Sequence, residues 1–531
     1  MPWMIALARR ALAPGVTALF AVACQTGTGV GSSSPPPVHR LACGSIVECE
    51  QRAAARLDAA RHDPASLELL ARRFPKGADL HNHLTGAVYA ESYLAWARQD
   101  GLLLDSTLTL VEPALCARRT CADLPGSPTD PRYDAVLRAW SMKDFVPGAE
   151  SGHDHFFAAF RKFRPVSGAA RHKGEMIADV IRRAADEHTL YLELMDTTSR
   201  PLLEDITRAT GRFDPSDLPG FEGLLRSDRR WPAMIAESRA MVASHDRAAR
   251  ALLGCDTATP PPACRVTVRY LAQVSRTAAA PRVFAELLAA FEISAGEPRV
   301  VGLNLVAPED DLVARRDYNL HMEMIAMLSD QYRGKSPLRI ALHAGELTAA
   351  LAPATDLESH IRSAVEIAHA ERIGHGVDVL TELDAPGLLA ELHDRSVTTE
   401  ICLTSNAYIL GVAGAAHPLA AYLAAGVPVT LATDDPGISR SSLTGEVMRA
   451  ITSQGASYPQ LKAMARNGVT AAFLPGDSLW RPGEPGRAIA ACDDSLGHDQ
   501  PSTACAAFLA TSERARLQWE LERQLAAFEA E

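Results

Sequence analysis

The stretch "GADLHNHLTG" (residues 77–86) decides the fold. A short apolar run ends in two histidines one residue apart, directly before a turn. In a strand successive side chains alternate between faces, so His81 and His83 project together while Asn82 faces away. Two imidazoles at one strand end begin a metal site and leave it incomplete. The missing ligands must come from elsewhere in the chain, and a fold that gathers strand ends at one face would bring them.

Seven more stretches read as strands: "LYLELMD" (190–196), "VTVRYLAQ" (266–273), "VVGLNLVA" (300–307), "RIALHAGE" (339–346), "RIGHGVD" (372–378), "VTTEICLTSN" (397–406) and "VPVTLATDDPG" (427–437). Helical patterns such as "ESHIRSAVEIAHAER" (358–372) lie between them. Eight βα units predict an α/β fold of the TIM (β/α)8 type. A doubly wound sheet is the alternative, but its Gly-rich phosphate turn after the first strand is missing. Irregular stretches at about 102–150, 200–235 and 476–508 read as loop insertions, which tend to shape a barrel's mouth. Residues 45–73 read as short helices, and "SERARLQWELERQLAAFEAE" (512–531) as one amphipathic terminal helix.

Before the barrel, a basic leader and the run "ALAPGVTALFAVA" end at Cys24; the run is too short to span a bilayer and has the form of a secretory signal. "AVAC" (21–24) resembles a bacterial lipoprotein box, with Cys24 as the lipidated residue, and "QTGTGVGSSSPPPVHR" suits a flexible tether. The expected organisation is a signal and lipobox over 1–24, a tether over 25–40, a helical segment over 41–74, the barrel over 75–475, and an insertion with the terminal helix over 476–531. The expected location is outside the cytoplasm: a periplasmic or cell-surface lipoprotein, or a secreted protein. Eight cysteines fall into close pairs, Cys43/Cys49, Cys116/Cys121, Cys255/Cys264 and Cys492/Cys505, as disulfides would in an oxidising compartment. Cys402, inside an apolar strand, reads as a buried free thiol.

At 531 residues and 47% hydrophobic content the chain can bury a large core. Its net charge of −11 argues against a nucleic-acid partner and leaves a small molecule as the expected one. The membrane enters only through the N-terminal lipid anchor.

Chemistry in such a barrel sits at the C-terminal strand ends. Those ends carry His81 and His83 on the first strand, and His343 with Glu346 on the fifth. The sixth carries His375 between two glycines, and the eighth Asp434 and Asp435. A second His-x-His pair, in "GHDHFF" (152–157), runs into aromatic spacing of helical period and reads as a helix entrance lined by core aromatics. Three imidazoles and a carboxylate suit Zn2+, which lowers the pKa of water. No lysine follows the fourth strand in "NLVAPED" to bridge two metals, so one Zn2+ per chain is expected. Glu346 stands where a proton donor or acceptor is needed; its alternative task is capping a helix after the fifth strand. Adjacent aspartates cannot face the same way, so one binds metal and the other reaches substrate.

"LHNHLTG", "LHAGE", "RIGHGVD", "LTSN" followed by "HPL", and "ATDDPG" resemble the successive motifs of the adenosine deaminase family over about residues 75–475. The leader and cysteine pairs resemble its secreted growth-factor-like branch. The resemblance implies that His81, His83, His343 and Asp434 hold zinc. It implies that Glu346 protonates purine N1, that His375 orients water or shares its proton, and that Asp435 hydrogen-bonds N7. Two positions depart from the pattern: Thr85 replaces an aspartate that contacts ribose, and Ala307 replaces a glycine whose amide faces the purine. The expected function is zinc-dependent deamination of adenosine or a related 6-aminopurine nucleoside to the 6-oxo product and ammonia. The alternatives are another aminopurine or modified nucleoside, or a non-catalytic binding or signalling protein on the same barrel.

Overall fold

In the computed structural model, which describes residues 45–531, the eight expected strands pair in parallel in chain order. They are β1 (Gly77–His83), β2 (Thr189–Asp196), β3 (Thr267–Ser275), β4 (Val300–Val306), β5 (Arg339–Ala344), β6 (Arg372–His375), β7 (Thr398–Ile401) and β8 (Val429–Leu431). β1, β2 and β4 are buried along almost their whole length, as strands covered on both faces must be. The chain is a (β/α)8 barrel.

The last strand meets the first beyond its own end. Asp434 bridges Asn82: the His83 N–H donates to the Asp434 carbonyl at 2.9 Å, and the Asp434 N–H donates to the His81 carbonyl at 2.8 Å. Side chains reinforce this seam, the Asn82 amide donating to Asp79 at 3.1 Å and to Thr433 Oγ1 at 2.9 Å. Closing the barrel therefore places His81, His83 and Asp434 side by side.

Several strands are shorter than expected. β7 stops at Ile401 and residues Leu403–Ile409 form a helix, so Cys402 sits at the junction rather than inside a strand, a buried free thiol that donates to the Glu400 carbonyl at 3.8 Å. Asp434 and Asp435 lie past β8, directly before the helical turn Pro436–Ser439. The stretch 200–235 is not irregular: it holds the helices Leu202–Ala209 and Leu218–Ser227 and the start of Trp231–Leu252. Pro219 and Pro232 occupy first turns, where the missing N–H costs nothing, so residues that resemble breakers are helix starts.

The helix Ile46–Ala60 lies against the terminal helix Glu513–Ala530, and Pro64–Arg73 packs on the helix Leu443–Ser453. Arg56 donates to the Phe528 carbonyl at 2.6 Å, and Phe74 meets Phe528 edge-on at 5.8 Å. Cys116–Cys121, Cys255–Cys264 and Cys492–Cys505 are disulfides, the last at the centre of a small core with Leu479, Trp480 and Trp519. Cys49 is also disulfide-bonded; its expected partner Cys43, the leader, Cys24 and the tether lie outside the described residues. Among the described residues no helix is long and apolar enough to cross a membrane.

Candidate active site

Three side-chain nitrogens and one carboxylate oxygen converge at the C-terminal face. His81 Nε2 and His83 Nε2 lie 3.0 and 3.1 Å from His343 Nε2, and 3.4 and 3.2 Å from Asp434 Oδ1. A tetrahedron with metal–nitrogen bonds of about 2.0–2.1 Å has edges of roughly 3.3 Å, so the spacing and the donor set both fit Zn2+. Among the described residues every metal-competent grouping draws on this one cluster.

Three of the four ligands are oriented from behind. His81 Nδ1–H donates to Glu400 Oε2 at 2.7 Å, and Glu400 in turn accepts from Arg372 at 2.6 Å. His343 Nδ1–H donates to Asn304 Oδ1 at 2.7 Å, and Ser405 donates to Asp434 Oδ2 at 2.6 Å. These bonds fix the tautomers that leave both Nε2 lone pairs free for a metal. Gly374 makes room for His81, whose ring would lie 2.5 Å from a β-carbon there. Glu400, Asn304 and Ser405 escaped the sequence reading because nothing local marks a long-range hydrogen bond.

Three non-glycine residues at strand ends take positive φ: Ala307 at 81°, His375 at 67° and Asp434 at 61°. Such conformations cost on the order of 1–3 kcal/mol each and persist where surrounding structure holds them. Their clustering marks this face as the functional one.

Glu346 is buried on the cavity wall, with Oε1 3.6 Å from His375 Nε2. No helix begins beside it, the next starting at Ala354, so the capping alternative fails. Burial, with Asp434 nearby, pushes its carboxyl up to about 8. The turn that carries it is held by Glu309, also unforeseen, which accepts from the N–H of Gly345 at 3.2 Å and of Glu346 at 2.9 Å. Burial opposes the charge on Glu309, but Arg276 and His360 outweigh it and bring the carboxyl down to about 2. Burial lowers His375 to about 3, leaving a neutral ring. Burial beside Asp434 raises Asp435 well above the carboxylate range, and its Oδ1 has no protein partner.

The cluster opens on a cavity of about 410 Å³. Thr85, Ala307, Glu346, Asp434 and Asp435 line it, with His83 and His343; His81 and His375 lie behind that wall. Phe156, Phe157 and Phe160 roof it from the helix Gly152–Lys162. The second His-x-His pair is therefore no ligand set but the anchor of this roof: His153 meets Asp310 at 3.0 Å, and His155 donates to the Ser141 carbonyl at 3.1 Å. That these aromatics face a cavity rather than only the core was not foreseen. A larger cavity, of about 950 Å³, is lined from the N-terminal ends of the strands by Arg339, Arg372 and Val429, and none of the four candidate ligands faces it.

Residues 244–480 match the family model for adenosine deaminase. Over that stretch, a little under half of its length, the chain is similar to the adenosine deaminase family. An adenine deaminase from Rhizobium leguminosarum bv. trifolii is 34% identical over 188 residues, covering 35% of this chain and 52% of the relative. An adenosine deaminase from Yersinia enterocolitica is 37% identical over 137 residues, covering 26% and 38%. The chain thus spans about half or less of these relatives' length. An amidohydrolase from Burkholderia ambifaria, solved with bound zinc, superposes with a TM-score of 0.51 at 16% identity over 87% of this chain and 94% of that one. An Arabidopsis N6-mAMP deaminase does so at 0.51 and 20% over 77% and 95%. At these identities the two structures show a shared fold alone. None of these four is described as growth-factor-like.

Proposed function

We propose that this chain is a hydrolase that deaminates an aminopurine, with adenosine or a related 6-aminopurine nucleoside as substrate and one Zn2+ per chain. The observation that carries the reading is the four-ligand cluster opening on an apolar cavity whose wall also holds Glu346 and Asp435. Zinc on His81, His83, His343 and Asp434 would supply the acidity that makes water a nucleophile at neutral pH. Phe156, Phe157 and Phe160 would bury the ring and exclude bulk water. Asp435, with Oδ1 unpartnered, would read N7, and Glu346 would pass a proton to N1 as the ring loses aromaticity. Thr85 would make only an uncharged contact to a sugar. The binding-protein alternative loses its ground because no expected ligand is missing. A second reading, the free base adenine, draws on the adenine deaminase relative and on Thr85 lacking a carboxylate.

Ammonia release by the zinc-loaded protein from adenosine, 2′- and 5′-deoxyadenosine, N6-methyladenosine and adenine tests both readings. Release from adenosine supports the first, release from adenine alone the second, and none from any compound overturns both. Elemental analysis should give close to one zinc per chain, with metal and activity lost in His81→Ala; two tightly bound metals would refute the mononuclear site. The leader and disulfides support export and a lipid anchor on Cys24. Labelled fatty acid should appear in the protein and vanish in Cys24→Ser.

A further inference from the structure

His417 opens "HPL" (417–419), a stretch to which the roles above give no task. It is 3% exposed, on the loop before the helix Leu419–Ala424, and its ring points inward to Asn406, which is fully buried. The Leu419 N–H donates to His417 Nδ1 at 3.2 Å, which places the neutral ring's proton on Nε2. That Nε2–H donates to Asn406 Oδ1 at 3.1 Å. With Oδ1 occupied, the Asn406 amide donates from Nδ2 to His375 Nδ1 at 2.9 Å. Flipping the amide would set its NH2 against the protonated Nε2 of His417, two donors face to face in a buried site. The direction of every bond in the chain therefore follows from one backbone N–H.

We propose that His417 and Asn406 are positioning residues that lock His375 into its Nε2–H tautomer. His375 then offers a donor, and no lone pair, to the corner bounded by Glu346 and Asp434. Its Nε2 is buried, has no hydrogen-bond partner and lies 3.6 Å from Glu346 Oε1, and a ring nitrogen of His375 lies within 4.8 Å of an Asp434 oxygen. At that corner a donor orients and stabilises a reacting oxygen, whereas Nε2 cannot accept a proton from water. Only this last consequence rests on the deaminase reading; the tautomer is a property of the resting protein.

Burial brings His417 down to about 4, which keeps it neutral at working pH. It lies eleven residues beyond Asn406, across the Gly414–Ala416 turn, so the pair reads in the sequence as two separated blocks.

Side-chain 15N NMR of histidine-labelled, zinc-loaded protein reads the tautomer directly, with His375→Gln to assign its signals. Wild type should show a protonated Nε2 and an unprotonated Nδ1 at His375. Asn406→Asp replaces the donor with an acceptor and should move the proton to Nδ1. His417→Ala should lower kcat at least tenfold with little change in KM, and His417→Gln, whose amide can still donate to Asn406, should recover most of it. A wild-type His375 protonated on Nδ1 overturns the proposal. So does a His417→Ala enzyme that keeps both its kcat and the wild-type tautomer. If Asn406→Asp fails to fold, the wild-type spectrum alone still decides. A protein that deaminates nothing would refute the proposed function while leaving the tautomer to be read from the same spectrum.

Discussion

Asp435 packs onto Gly86 so closely that a β-carbon at residue 86 would lie 1.5 Å from Oδ1 and 2.7 Å from the Asp435 Cβ. The glycine of "HLTG" thus makes space for a carboxyl that belongs to the other end of the barrel seam.

Gly86→Ala should expel the whole Asp435 side chain, since both its tip and its stem are in the way. A hydrogen bond from a neutral carboxyl is worth about 0.5–1.5 kcal/mol, so kcat/KM on an aminopurine should fall roughly 2- to 10-fold. Zinc content should stay at the wild-type value. An unchanged kcat/KM would mean that Asp435 does not read the base.

Glu309 ties the Glu346 turn to Arg276 and His360. Its carboxyl moves from an ordinary 4.5 to about 2 on folding, so its contribution, on the order of 3 kcal/mol, is present above the unfolded value and lost as pH falls through the folded one. Glu309→Gln should lower Tm strongly at pH 7, and the gap from wild type should narrow between about pH 4.5 and 2. Thermal unfolding across that range checks the sign; a gap that widens on acidification would refute it.

Ala307 holds φ at 81°, in the left-handed region that favours glycine, while its carbonyl accepts from Arg276 at 2.7 Å. Ala307→Gly relieves strain of about 1 kcal/mol, offset in part by the freer unfolded chain, and removes a methyl from the cavity wall. The expected result is an unchanged or slightly raised Tm and a lower KM for purines. A higher KM would show that the methyl packs against the substrate.

Periodicity explains what could be read in advance. His81 and His83 share a face because a strand alternates, and the same rule put His343, His375 and Asp434 at strand ends, where a barrel gathers them. What a strand pattern could not reveal was support from afar: Glu400 behind His81 is 319 residues distant, and Glu309 reaches forward 37 residues to the Glu346 amide. Nor could it tell a proline that starts a helix from one that breaks it, which is why 200–235 looked irregular. The aromatics of 152–162 show helical spacing whether they face core or cavity, and only the tertiary fold places them over the metal ligands.

In the proposed reaction Glu346 delivers a proton to purine N1 beside the zinc ligands. Glu346→Gln keeps the shape and a hydrogen-bond donor but cannot transfer a proton. With zinc content equal to wild type, kcat for aminopurine deamination should fall by at least about 10²–10⁴-fold, the usual range for a lost general acid. A Glu346→Gln protein of normal zinc content and nearly unchanged kcat would show that Glu346 is not the proton donor.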